Sequence, residues 1–378
     1  MSIMVCLGAN GLGYPLGGGH LSVYLNWALG LRAAGCEVIW LEMAEEQVLV
    51  AELLANVATL KGRLERFGLQ ESLRVRSETG APLPAAVREQ HPGIDEIIEA
   101  DLFLSLRYAT RPELAGRFRK TALIDIDPGL LQSWLTKGAI DVPDYNVHFT
   151  IGETVGQPGA CFPDGGRKWE YTPPCVALDW WVPRATAAAD APFSTISHWH
   201  AEEWMEDGGR VYANDKRTAF LPFLDLPSKT NQPLELAICL AEENQSEWQM
   251  LRERGWRVLD AYKVAATPWD YQSYVQKARG EFSCAKPSCV RLQNAWVSDR
   301  TLCYLASGRP AIVQHTGPSR FLPDTAGLFR FRNIDEAAHH LESGAADHER
   351  QCRLARALAE EYFDARKVVR RILERTLS

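Results

Sequence analysis

No two of the nine cysteines in this chain have CxxC spacing, and their number is odd. That pattern argues against a disulfide framework and suits a reducing compartment. The nearest pair, Cys284 and Cys289, fits small core or loop residues better than a metal or redox site. No apolar run approaches the ~20 residues needed to cross a bilayer, and no basic segment precedes the apolar start. A soluble, cytoplasmic protein without membrane partners is therefore expected. Positive charge is not in excess: 41 Lys and Arg against 48 Asp and Glu leave a net charge of −7. Global attraction to nucleic acid is thereby disfavoured, and only a local basic patch stays open. A GxGxxG fingerprint, a P-loop lysine, a fixed-period repeat and a low-complexity tract are all missing as well.

What is present is an alternation of short apolar runs and amphipathic stretches. A chain of 378 residues with 46% apolar content can fill two cores. Ile3 to Gly8 reads as a buried strand, followed by the loop GANGLGYPLGGGH and a helix with Leu21, Tyr24, Leu25, Ala28 and Leu31 on one face. Glu37–Leu41, Asp101–Leu106, Ala122–Ile126 and Val147–Ile151 read as further strands, which together argue a parallel, doubly wound sheet. Gly152 to Pro183 reads as a long binding or interdomain loop, with Tyr171-Thr-Pro-Pro as the hinge and Trp180-Trp181 plugging the junction. Strands at Phe193–Ser197, Leu234–Leu240 and Trp256–Leu259 open a second α/β unit, and His348 to Leu377 gives one or two closing helices. The expected domains are 1–178 and 179–378, with the last helix crossing back to the first.

Candidate chemistry collects at strand ends, where sheets of this class bind ligands. Gly17, Gly18 and Gly19 either admit a ligand close to backbone or make a tight turn. His20 begins a helix, whose positive end disfavours imidazolium and leaves the ring neutral and able to accept a proton. Asp125-x-Asp127 invites a metal reading, but Asp127 also suits a helix cap lining the cleft, and no metal is expected. His198 and His200 alternate about Trp199, a spacing that can place both histidines on one side of an extended chain.

The stretch Trp269 to Gln314 concentrates the rest. A helix with Tyr271, Tyr274, Val275 and Ala278 on one face ends at Gly280, and an extended Glu281–Cys284 follows. Ser298 or Asp299 caps a second helix, which Gly308 and Pro310 stop before a buried strand at Ala311–Val313. Lys286, Arg291 and Arg300 lie between, and cations beside a helix N-terminus suggest a phosphate site.

Trp269-x-x-Gln272, Gly280-x-Phe282-Ser283 and Ala306-Ser307-Gly308-x-Pro310 resemble the donor-sugar signature of GT-B glycosyltransferases. Cys303 stands where many members of that class carry the glutamate that holds the donor ribose. The resemblance implies two Rossmann-like domains facing across a cleft, and transfer of a sugar from a nucleoside-diphosphate sugar to a small hydroxylated acceptor. It implies a hexosyltransferase-like, metal-independent enzyme without a cofactor, the nucleotide sugar being its donor substrate. His20 and Asp127 are its expected catalytic residues, and Gly17–Gly19, Lys286, Arg291, Ser298, Asp299 and Arg300 its donor-phosphate residues. His198, Trp199, Trp269 and Ser283 are expected to line the base or sugar. Alternatives are a nucleotide-sugar epimerase, a non-catalytic nucleotide-sugar binder, and a transferase acting on a hydroxymethylated DNA base.

Overall fold

The strands Met4–Gly8, Glu37–Ala44, Leu102–Ser105, Thr121–Asp125, Gly280–Ser283 and Leu328–Phe331 are buried along nearly their whole length, as expected where helices cover both faces of a parallel sheet. The computed structural model describes residues 2–89, 95–185, 187–240, 244–324 and 326–378. The first sheet contains β1 (Met4–Gly8), β2 (Glu37–Ala44), β3 (Leu73–Ser77), β4 (Leu102–Ser105), β5 (Thr121–Asp125), β6 (Val147–Thr150) and β7 (Trp169–Tyr171). Its order is β3-β2-β1-β4-β5-β6-β7, and every pairing is parallel. In the second half come β8 (Phe193–His198), the antiparallel hairpin β9 (Trp204–Asp207) and β10 (Arg210–Ala213), then β11 (Leu234–Cys239), β12 (Arg257–Asp260), β13 (Gly280–Ser283), β14 (Ala311–Gln314) and β15 (Leu328–Phe331). Leaving the hairpin aside, the second sheet runs β12-β11-β8-β13-β14-β15, all parallel. Both sheets therefore reverse winding direction beside their first strand, between β1 and β4 and between β8 and β13. Crevices at such switch points are where open α/β sheets bind ligands.

Several elements differ from the sequence reading. The helix around Tyr271 spans Pro268–Lys277, and Gly280 does not end it but opens β13. A Cβ on Gly280 would lie 2.5 Å from the Pro310 carbonyl and from the Phe193 ring, so glycine is needed there for strand packing. The loop read from Gly152 to Pro183 contains an edge strand, β7. The hairpin, β3, β15 and the helix Ile334–Ala346 have no counterpart in the sequence reading.

The halves are joined twice. Val176, on the forward passage, donates its amide to Phe363 at 2.8 Å, and its carbonyl accepts from Ala365 at 3.0 Å on the return. The terminal helix Ala365–Leu377 then buries Ala365, Val368, Val369, Ile372 and Leu373 in the first half's core beside the helix Gly18–Ala33. Trp181 is fully buried, and Trp180 packs against the cores of both halves, stacking edge-on with Phe67. Among the described residues no helix is long and apolar enough to cross a membrane.

Candidate active site

A cleft of about 880 Å³ lies between the halves, lined by the loops that leave β1, β4, β5, β8, β12 and β13. Its first-half wall is built on a buried carboxylate. Glu42, within β2, is fully buried and accepts from the amides of Gly11 (2.8 Å) and Leu12 (3.1 Å) and from Trp40 Nε1 (2.8 Å). These bonds fix the loop after β1. Asn10 in that loop accepts from Arg107 Nη1 at 2.6 Å through its side chain, and Arg107 Nη2 reaches Glu78 at 2.9 Å. The carbonyl of Asn10 lies 2.5 Å from His20 Nε2. A carbonyl can only accept, so Nε2 carries the proton and Nδ1 is the basic nitrogen. Burial pushes the His20 ring below its ordinary pKa, against the Asn10 bond and with help from His198, so the imidazole is neutral at pH 7. The Tyr14 ring covers it at 4.2 Å.

Asp127 lines the same wall, but it is not a helix cap. The helix Leu130–Thr136 starts from Gly129, whose φ of +85° a side chain would strain, and Gln132 Oε1 takes the Gly129 amide at 2.5 Å. The Asp127 carboxylate faces Tyr108 Oη at 3.1 Å instead. Burial raises its pKa, Lys286 pulls it back, and Glu203 adds to the rise. Asp125 is committed to the scaffold: Oδ2 accepts from Gln132 (2.7 Å) and Thr150 (2.8 Å), and Oδ1 from the Asp127 amide (3.0 Å). Among the described residues no group of three or more His, Cys, Asp or Glu is arranged to hold a metal ion.

The second-half wall carries the cations. Lys286 follows β13 and gives Nζ to both oxygens of Glu203 at 2.7 Å. Burial alone would lower its pKa, but the carboxylates of Asp127 and Glu203 outweigh burial and raise it overall, which keeps the ammonium charged. Arg300 reaches the cleft but is fastened from behind: Nε to Glu281 at 2.8 Å, Nη1 to the Ile196 carbonyl at 3.0 Å, and Nη2 to Ser283 Oγ. Glu281 is completely buried, so this guanidinium works first as a counter-charge. Ser298 caps the helix Asp299–Ala306 by accepting the Arg300 amide at 3.3 Å. Asp299 lines the cleft with its pKa pushed up to about 6, by burial first and by Asp127 across the gap.

Lys216 is the cation that sequence reasoning missed. It is 6% exposed, lines the cleft, and gives Nζ to the Cys284 carbonyl; among the described residues it has no carboxylate partner. Burial, with Arg300 and Lys286 nearby, lowers its pKa to about 7. An available signal was its place after the hairpin that leaves β8, where Asp215 caps a short helix through Thr218 N at 2.8 Å. Glu42, Asn10, Tyr108 and Glu203 were missed too, because each acts through a partner distant in sequence.

Of the residues expected at the site, Gly17–Gly19, His20, Asp127, His198, Lys286, Ser298, Asp299 and Arg300 line the cleft, as does His200. Four do not. Arg291 turns away and lies over the Tyr212 ring at 3.9 Å. Trp199 follows the strand alternation inward, is 1% exposed and packs on Phe220, while His198 and His200 face the other way. Trp269 lies under Arg66 outside the cleft, and Ser283 is buried behind Arg300. Gly18 has a different use from phosphate binding: its amide donates to the Ala265 carbonyl at 3.2 Å, and a Cβ there would come within 2.2 Å of the Thr267 carbonyl. It lets the two halves touch.

The fold is GT-B, with two parallel Rossmann-like sheets facing one cleft. Among solved structures, HepE from Anabaena in complex with UDP and glucose superposes with a TM-score of 0.59 at 11% identity, covering 99% of both chains. An alpha-glucosyltransferase in complex with UDP gives 0.59 at 11% identity, again over 99% of both chains. The alpha-glucosyltransferase in complex with UDP and a 13-mer DNA containing an HMU base gives 0.56 at 10% identity, over 99% of each chain. No family model and no curated protein sequence matches this chain.

Proposed function

We propose that this protein transfers a sugar from a nucleoside-diphosphate sugar to a hydroxylated acceptor bound in the interdomain cleft. The observation that carries the reading is the division of that cleft: a neutral imidazole with Nδ1 as its base on one wall, and cations on the other. Structures of the same fold complexed with UDP support it. Lys216 and Lys286 take the donor phosphates and stabilise the leaving diphosphate as its charge grows, which is electrostatic catalysis and asks for no metal. Arg300 holds the wall in place, and the capped start of the Asp299–Ala306 helix adds its positive end. His20 Nδ1 removes the acceptor hydroxyl proton. The acceptor oxygen then bonds to the anomeric carbon as the bond from that carbon to the phosphate oxygen breaks. Such a displacement inverts the anomeric centre. Asp127 and Asp299 are placed to accept hydroxyls of the sugar or acceptor. A hexosyl donor and metal-independent turnover belong to this proposal.

A DNA acceptor is the second reading, from the likeness to a transferase complexed with HMU-containing DNA. The net charge of −7 and the carboxylates Glu202 and Glu203 at the cleft weigh against a polyanion. The test is incubation with a panel of nucleotide sugars while nucleoside diphosphate release is followed, with small hydroxylated acceptors in one arm and hydroxymethylated DNA in the other. Acceptor-dependent release is expected in the first arm. Binding without release in any arm, or interconversion of the donor sugar alone, would replace transfer by a binding or epimerase role.

A further inference from the structure

Between the Lys286 segment and the Asp299 helix runs a short stretch, Leu292 to Trp296, that belongs to the second half by sequence and to the first by contact. Leu292 packs with the apolar cluster behind the first sheet, and Trp296 against its main core. The Gln293 carbonyl accepts from Thr154 Oγ1 at 3.1 Å. Asn294 is fully buried; Nδ2 donates to the Pro128 carbonyl at 2.6 Å, one residue beyond Asp127, while Oδ1 accepts from the Trp296 amide at 3.1 Å.

The backbone here is held in an unusual shape. Gln293 and Ala295 have φ of +50° and +57°, and they are the two non-glycine residues with positive φ among those described. Side-chain-bearing residues adopt that region sparingly, and they persist in it when the surroundings over-determine them. The surroundings do so from both halves. The Ala295 amide donates to the Thr316 carbonyl at 2.9 Å, Thr316 Oγ1 donates to the Trp296 carbonyl at 2.7 Å, and Gly317 passes so close that a Cβ would lie 2.4 Å from the Gln293 carbonyl.

We propose that Leu292–Trp296 is the element through which docking of the two halves sets the alignment of the Asp127 wall with the donor helix, and that Asn294 is its positioning residue. The inference rests on the transfer reading for its catalytic consequence but not for its structural one. Asn294 touches neither the cleft cations nor His20, so it acts through Pro128 on one side and through the turn leading to Ser298 on the other.

Two arms test it. In the first, without substrate, small-angle scattering compares wild type with Asn294→Asp, whose carboxylate keeps the Trp296 acceptor but meets the Pro128 carbonyl with an oxygen. Thr154→Val, at the partly exposed first-half partner, is the milder variant and carries the test if the first fails to fold. Both should show a larger radius of gyration, the valine variant by less. In the second arm, UDP serves as the binding probe and turnover is followed with the donor that wild type accepts. The expected result is UDP affinity within about twofold of wild type and kcat about 10²-fold lower in Asn294→Asp, the scale of an ångström-level misalignment. Unchanged scattering in both variants, or UDP affinity falling in step with rate, would overturn the proposal. Wild type that turns over no nucleotide sugar would sink the transfer reading alone, since the scattering arm still decides whether this stretch docks the halves.

Discussion

The two walls of the cleft are polar in different ways. On the first-half wall, groups are oriented by uncharged partners: His20 by the Asn10 carbonyl, Asp127 by Tyr108, whose hydroxyl also takes the amides of Ile126 and Asp127 at 2.9 Å each. On the second-half wall, cations are oriented by anions and carbonyls: Lys286 by Glu203, Arg300 by Glu281, Lys216 by Cys284. A neutral partner leaves a side chain free to exchange a proton, whereas charge pairing, as at Lys286 and Arg300, holds a side chain ionised. On the proposed transfer, acid–base work falls to the first wall and charge stabilisation to the second. That second wall also separates two kinds of buried cation. Arg300 is balanced by a fully buried glutamate, whereas among the described residues Lys216 has a neutral carbonyl and no carboxylate, so the proposed diphosphate would gain most at Lys216.

The comparison breaks most visibly at His20. His20→Ala should lower turnover by about 10²–10⁴-fold while leaving UDP affinity near wild type, because the proposed transfer puts the phosphates on the opposite wall. The wild-type rate should fall on the acid side, below the ordinary imidazole range, and that limb should vanish in the variant. Loss of UDP binding instead would put His20 among the phosphate contacts.

Arg300 comes next, as a matter of stability. Arg300→Met leaves Glu281 buried without its partner, a change that costs about 3–5 kcal/mol. A lowered melting temperature is expected, with Glu281→Gln in the Arg300→Met background recovering part of it. Full stability combined with lost UDP affinity would make Arg300 a ligand contact instead of a strut.

Lys216→Met should preserve the fold and weaken UDP binding by about ten- to a hundredfold, the effect of one charge-assisted bond worth about 1.5–3 kcal/mol. The pH dependence has a defined sign. Folding lowers this pKa from 10.5 to about 7, so between those values the unfolded chain binds more protons, and ligand-free stability gains as pH rises through that window. A diphosphate needs the ammonium, so UDP affinity should decline above pH 7, and the decline should be missing from Lys216→Met. Calorimetry at several pH values reads both.

Chelation is expected to change least. EDTA should leave turnover intact if Lys216 and Lys286 neutralise the diphosphate. Loss of rate rescued by magnesium or manganese, and abolished in Asp127→Asn, would restore the Asp-x-Asp reading.

The alternation of strands and helices is legible in the order of residues, because helical and strand periodicities of apolar residues are local signals. Local signals also give a cap at Ser298 or Asp299, the Gly308 stop and the placement of His20, Asp127, Lys286 and Asp299 at strand or helix ends. Caps and stops act within one turn of chain, so they can be read without a partner. Which side chains at those ends face the cleft follows from packing between segments far apart in the chain. Arg300 and Arg291 look alike in sequence, yet one counters a buried glutamate and the other lies on a tyrosine of the hairpin. Glu203 flanks that hairpin and Glu42 sits inside a strand, where nothing local marks them, and the Asp215 cap beside Lys216 marks a helix start but not a charge facing the cleft. Their roles come from hydrogen bonds and burial that exist only after two sheets, wound separately, are brought face to face.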